Sequence, residues 1–204
     1  MVYNGVDTEL FHADESVKKQ ENNLIVVGGY SPIKGLTHLL KAMTLLKDEM
    51  NLKLTIIGGP PDGKYSGGLV REYGLQDSVT FTGRISHEEL VKRYSAAQVA
   101  VAPSLYEGFG FPAAEAMACG LPVVSSSAGA LPEVVGRDGE AGVLVPPADA
   151  DAIAVALRRL MADEGLRRRM GAAARRRVET HFTWEQAARK TVGVYEELIA
   201  DAHR

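Results

Sequence analysis

Short runs of β-branched residues alternate along the chain with stretches whose apolar residues recur every three or four positions. The first run, Leu24-Ile25-Val26-Val27, closes on Gly28-Gly29 and reads as a buried strand. Leu36, Leu39, Leu40, Met43 and Leu46 follow at helical spacing. Leu52 to Ile57 is a second strand, ending at Gly58-Gly59-Pro60-Pro61, and a short helix covers Gly68 to Tyr73 before a third strand at Val79 to Phe81. Ser86 begins a capping-box pattern with Glu89 three residues on, which opens a helix to about Ala97. Val99 to Ala102, Pro122 to Ser125 and Gly142 to Val145 complete six strands. Pro112 suits the first turn of the helix that runs to Cys119-Gly120. After Pro146-Pro147 the pattern is helical throughout: Asp149 to Ala162, about Glu164 to Thr180, and Thr183 to the end.

Strands separated by helices predict an α/β fold, a doubly wound Rossmann-like parallel sheet of about six strands with both faces covered and C-terminal helices in a row. The expected organisation is a linker-like segment over 1–22 with a turn at Asn4-Gly5, a Rossmann-like domain over 23–180, and a terminal helix over 181–204. Composition adds little to this picture: 204 residues, 46% hydrophobic and 24% charged, describe an ordinary globular domain. The single cysteine, Cys119, lies in an apolar run and reads as a small buried hydrophobe, and its isolation fits a reducing cytoplasmic setting.

Charge changes the picture at one place. The net charge is −3, yet eight arginines crowd 158–177. Between Arg167 and Arg177 they flank a stripe of Leu166, Met170, Ala174 and Val178, so the default reading is a solvated helix face; the alternative is a weak peripheral contact with anionic lipid. Nucleic acid is not expected, because no aromatic platform accompanies the charge. The histidines are scattered without ligand spacing, so neither metal nor cofactor is expected.

In open parallel sheets ligands bind beyond the carboxyl ends of the strands. The loop after the first strand carries Gly28, Gly29 and Lys34, the last beside a helix N-terminus, a combination suited to phosphate. Taken alone, this lysine is more simply a solvent residue in a turn. The loop after the fourth strand carries Glu107 and, one turn into its helix, Glu115, separated by small residues that leave backbone N–H groups free. Carboxylates accept hydrogen bonds from vicinal hydroxyls, so phosphate donors and hydroxyl acceptors meet in one place, as a sugar nucleotide requires. Singly, Glu115 could be a helix-dipole carboxylate and Glu107-Gly108 a plain turn.

The run Glu107-Gly108-Phe109-Gly110-Phe111-Pro112-Ala113-Ala114-Glu115, continued to Val124, resembles the two-glutamate motif of the group 1 retaining glycosyltransferases of the GT-B fold, which include mannosyltransferases, glycogen synthase-like enzymes and sucrose synthase. Val2 to Asp7, Val26 to Gly35, Leu131 to Val135, Gly142 to Val145 and Phe182-Thr183-Trp184-Glu185 extend the resemblance, specifically to the C-terminal, donor-binding half. The resemblance implies Lys34 and Glu107 as catalytic residues, Lys34 on the donor diphosphate and Glu107 on the transferred sugar. It implies backbone contacts at Gly28, Gly29, Gly108, Phe109, Gly110 and Phe111, a ribose contact at Glu115, and the base near Arg84 and Ile85. Two positions depart from it: Gly29 stands where arginine is frequent and Ala130 where glycine is frequent.

The expected partners are a nucleoside-diphosphate sugar, a separate N-terminal domain that holds the acceptor, and either that domain or a second copy of the chain against the apolar face of the last helix. The expected activity is hexosyl transfer with retention. A non-catalytic sugar-nucleotide-binding module and a sugar-nucleotide epimerase are the alternatives.

Overall fold

The computed structural model describes residues 1–59 and 65–202. Pro60 and Pro61, read as the end of the second strand's loop, and the last two residues of the terminal helix lie outside them. The six strands are β1 (Asn23–Val27), β2 (Lys53–Ile57), β3 (Val79–Phe81), β4 (Val99–Ala102), β5 (Val123–Ser126) and β6 (Gly142–Val145). All pair in parallel in the order β3-β2-β1-β4-β5-β6. The helices are α1 (Leu36–Leu45), α2 (Ser66–Glu72), α3 (His87–Ala96), α4 (Phe111–Ala118), α5 (Leu131–Val135), α6 (Ala150–Ala162), α7 (Glu164–His181) and α8 (Trp184–Ala202).

Strand alternation divides the core in two. Leu24 and Val26 face a cluster built with α1, α2 and α6, whereas Ile25 faces one built with α3, α4, α5 and α7. Because the central strands β1, β4 and β5 are covered on both sides, the sequence shows nearly continuous apolar runs there. Cys119 closes α4 inside the second cluster, and burial pushes its thiol up to about 12, out of reach of thiolate chemistry at neutral pH.

Several sequence expectations change in detail. No turn forms at Asn4-Gly5; instead Val6 pairs with the chain just before α8, its N–H donating to the Phe182 carbonyl at 2.7 Å. The backbone of 1–22 is irregular, but Val6 and Phe11 are core residues. The Ser86 hydroxyl accepts from the Glu89 N–H, while the Glu89 carboxylate turns to Arg93 rather than back to the cap, so only half of the box forms. Helix α5 is five residues long, too short for its apolar spacing to show as a helical period.

The arginine-rich helices are also not simply solvated. Arg175 donates to the carbonyls of Phe11 and Ala118, each at 2.6 Å, and of Thr8 at 3.1 Å. Arg177 reaches the Val134 and Glu133 carbonyls, Arg167 reaches those of Leu160 and Met161, and Arg158 pairs with Glu49. These side chains staple α7 and α6 to the rest of the fold.

Candidate functional site

In this strand order β1 and β4 are neighbours whose connections leave in opposite directions, α1 returning toward β2 and α4 toward β5. The crevice between the two departing loops is the topological switch point, where an open parallel sheet has room for a ligand. Both candidate loops end there. A single 3-10 turn, Pro32–Lys34, links β1 to α1. Gly35 caps it with φ 69, and any side chain on Gly35 would collide with the Pro103 carbonyl of the β4 loop. The Leu105 N–H donates to the Ile33 carbonyl at 2.7 Å, fastening the two loops together.

The consequence is a contact across 73 residues of chain: Lys34 Nζ lies 2.8 Å from Glu107 Oε2. The two side chains keep 24% and 18% of their surface, half-sheltered at the mouth of a hollow lined by Val27, Ser104, Gly110, Pro112 and Leu131. The Ser104 hydroxyl donates to the same carboxylate oxygen at 3.2 Å. The Glu107 backbone is held too, because the Ala130 N–H donates to its carbonyl and a side chain on Gly129 would strike that carbonyl. Among the described residues, nothing accepts from the backbone N–H groups of Gly108, Phe109 and Gly110. Gly110, at φ 99, is the N-cap of α4, whose first-turn N–H groups add donors at the same edge.

A second hollow adjoins the first through Val27. Gly28, Tyr30, Gly58, Gly59, Arg84 and Ile85 line it at the ends of β1, β2 and β3. Gly28, Arg84 and Ile85 therefore sit together, and Gly28 also lies against the Lys34 side chain, whose Cε an added Cβ would meet at 3.5 Å. In the sequence Gly58 and Gly59 mark only the end of a strand; with no side chain to signal chemistry, their place is set by sheet order alone. Ser104 and Tyr94 carry no signal of their own in the sequence, although Ser104 bonds Glu107 and Tyr94 bonds Glu115.

Glu115 sits on the fifth position of α4, facing α3. The buried Tyr94 hydroxyl lies 3.1 Å from the Pro112 carbonyl and 3.3 Å from Glu115 Oε2, with one proton to give. Burial raises the Glu115 carboxyl above its usual range, offset in part by Tyr94 and by the nearby His87. The Phe109 ring does not face the crevice: it is buried against Phe111 and Phe182, ring centroids 4.9 and 5.9 Å away, and anchors the loop. Gly29 is buried, and a Cβ there would come within 3.1 Å of Ile56 and 3.3 Å of Leu36, so an arginine at this position would start from inside the apolar cluster. No group of three His, Cys, Asp or Glu side chains among the described residues could hold a metal.

The site can thus do three things. It can neutralise an anion with Lys34 and free N–H groups, accept hydroxyl hydrogens at two carboxylates, and seat a flat group over a glycine-lined hollow.

Comparison with known proteins shows the family and the fold. The family model described as "Glycosyl transferases group 1" matches residues 7–177. Over 197 residues the chain is 43% identical to the MMP alpha-(1->4)-mannosyltransferase of Mycolicibacterium hassiacum, covering 96% of this chain and 47% of that protein. Sucrose-phosphate synthase from Thermosynechococcus elongatus superposes with a TM-score of 0.86 at 38% identity, over 97% of this chain and 52% of that one. Anabaena Alr3699/HepE, solved in complex with UDP-glucose, superposes with a TM-score of 0.84 at 22% identity, over 96% of this chain and 57% of that one, a likeness of fold alone. The chain spans about half the length of the curated relatives it matches.

Proposed function

The chain belongs to the group 1 glycosyltransferases, and from that premise we propose that it is the donor-binding half of a retaining hexosyltransferase that uses a nucleoside-diphosphate sugar. The observation that carries the reading is the meeting of Lys34 and Glu107 at the switch point, beside unpaired N–H groups at the start of α4. The donor diphosphate lies against Lys34 and those N–H groups. As the glycosidic bond to the phosphate breaks, charge grows on the leaving oxygen, and fixed donors already aimed at it stabilise that charge without reorganising. Glu107 accepts from sugar hydroxyls and orients the ring. Glu115 accepts from the ribose, and the base occupies the hollow of Gly28, Gly58, Gly59, Arg84 and Ile85.

Transfer also needs an acceptor held in contact with the donor in a water-poor cleft. A second, N-terminal domain supplies the other wall, and the exposed Tyr30, Ile33, Leu105, Tyr106 and Phe111 rim the side it closes on. No helix among the described residues is long and apolar enough to cross a membrane. The test is a comparison of donor binding with transfer. The chain alone should bind a nucleoside-diphosphate sugar and hydrolyse it slowly at most, and adding the cognate N-terminal domain should produce glycosylated acceptor with retained anomeric configuration. Robust transfer by this chain alone, as a monomer, would overturn the reading, and epimerised donor would replace it with another.

A further inference from the structure

The lysine that would receive the donor's phosphates is not waiting free. Lys34 Nζ is engaged by Glu107 at 2.8 Å, and among the described residues the one other donor to that carboxylate oxygen is the Ser104 hydroxyl at 3.2 Å. Glu107 has little freedom to leave, because its carbonyl is held by the Ala130 N–H and crowded by Gly129, and Gly110 lies against its side chain. A diphosphate that takes Lys34 therefore strips its partner from a half-buried carboxylate and places a second anion beside it. Loss of pairing and like-charge approach both oppose that ligand. A diphosphate that carries a sugar brings hydroxyl donors to the same carboxylate and replaces what the lysine gave.

We propose that Glu107 discriminates the loaded donor from the spent nucleoside diphosphate by exchanging its Lys34 partner for sugar hydroxyls. The proposal rests on the donor-site reading above and adds to it a consequence that a simple sugar contact does not have. The carboxylate weakens binding of the leaving product, so the empty ion pair re-forms as the diphosphate departs.

The test is calorimetric titration of the whole chain with UDP and UDP-glucose, and with GDP and GDP-mannose, in wild type and Glu107→Gln. The substitution keeps the shape and removes the charge. It should raise nucleoside diphosphate affinity by about twofold to fivefold, the worth of a partly exposed ion pair, and lower sugar-nucleotide affinity, shifting their ratio in one direction. In a Lys34→Gln background the gain for the diphosphate should shrink, because no pair is left to break. Thermal melting checks that each variant is folded. A ratio unchanged by Glu107→Gln overturns the exchange, as does a diphosphate gain that persists in full without Lys34. Failure of both pairs to bind the wild type is a different result, and it overturns the donor-site reading itself.

Discussion

Helices α7 and α8 are consecutive, 18 and 19 residues long, and their sequences suggest opposite fates. The first is crowded with arginine, yet it buries Met170, Gly171, Ala174 and Val178 and sends Arg175 and Arg177 into the carbonyl ends of neighbouring elements. The second carries an apolar stripe, yet no residue of it is buried: Trp184, Tyr195, Leu198 and Ile199 remain 56%, 62%, 62% and 59% exposed. Periodicity tells which face of a helix is apolar, and says nothing about whether the surface that covers it lies in the same chain. Guanidinium stems can pack while their heads bond carbonyls, so a count of charges misreads α7 as solvent-facing. The difference also has a direction toward function. Helix α7 clamps α4, the element that opens at the site and carries Glu115, whereas α8 keeps its apolar stripe exposed.

The comparison breaks most sharply at Gly171. A side chain there would collide with the Gly120 carbonyl at the end of α4, so the two helices could no longer approach. Gly171→Ala should cost about 3 kcal/mol by overpacking, read as a lowered denaturation midpoint; an unchanged midpoint would show that α7 is not tightly docked. Arg175→Ala should cost about 2 kcal/mol, since it strands carbonyls that a charged donor satisfied. Arg175→Lys should recover only part of this, because an ammonium cannot reach all three oxygens with the same fork.

A smaller effect resides on the clamped helix itself. Burial raises the Glu115 carboxyl, so the folded chain holds that proton more tightly than the unfolded chain does. The contribution to stability is therefore full below the ordinary glutamate range, falls as pH rises toward the raised value, and is constant above it. Glu115→Gln should remove that slope from a plot of stability against pH. If the carboxylate form is the one that meets the ribose, nucleotide affinity runs the other way and rises through the same window. The smallest effect belongs to α8. Leu198→Ser with Ile199→Ser should change the stability of the isolated chain by less than about 0.5 kcal/mol, while weakening assembly with an N-terminal domain. A large loss of stability in the chain alone would mean that this face is already covered.

Much of this architecture was legible because a parallel sheet leaves a plain record. Runs such as Leu24 to Val27 and Val99 to Ala102, closed by glycine or proline, need no long-range information to be read as strands. The cap at Ser86 is equally local. The residue types at Lys34, Glu107 and Glu115 pointed to phosphate and hydroxyl chemistry, but the ion pair between the first two could not be read, because it depends on β1 and β4 becoming neighbours. The places of Gly58 and Gly59 depend on sheet order in the same way. Tyr94 gives no sign of a role in the sequence, because only the packing of α3 on α4 brings its hydroxyl to Glu115. Arg175 and Arg177 misled for the reason that separates α7 from α8: their partners are backbone carbonyls, which leave no mark in a sequence.

The proposed donor site requires that the crevice between β1 and β4 take the diphosphate of a sugar nucleotide. The direct measurement is a titration of wild type and Lys34→Ala with a nucleoside, its diphosphate and the corresponding sugar nucleotide, in the uridine and guanosine series. In the series that binds, Lys34→Ala should weaken the diphosphate and the sugar nucleotide roughly tenfold or more, as loss of a charged hydrogen bond implies, and leave the nucleoside nearly unchanged. Equal losses for all three ligands, or no loss for any, would contradict it.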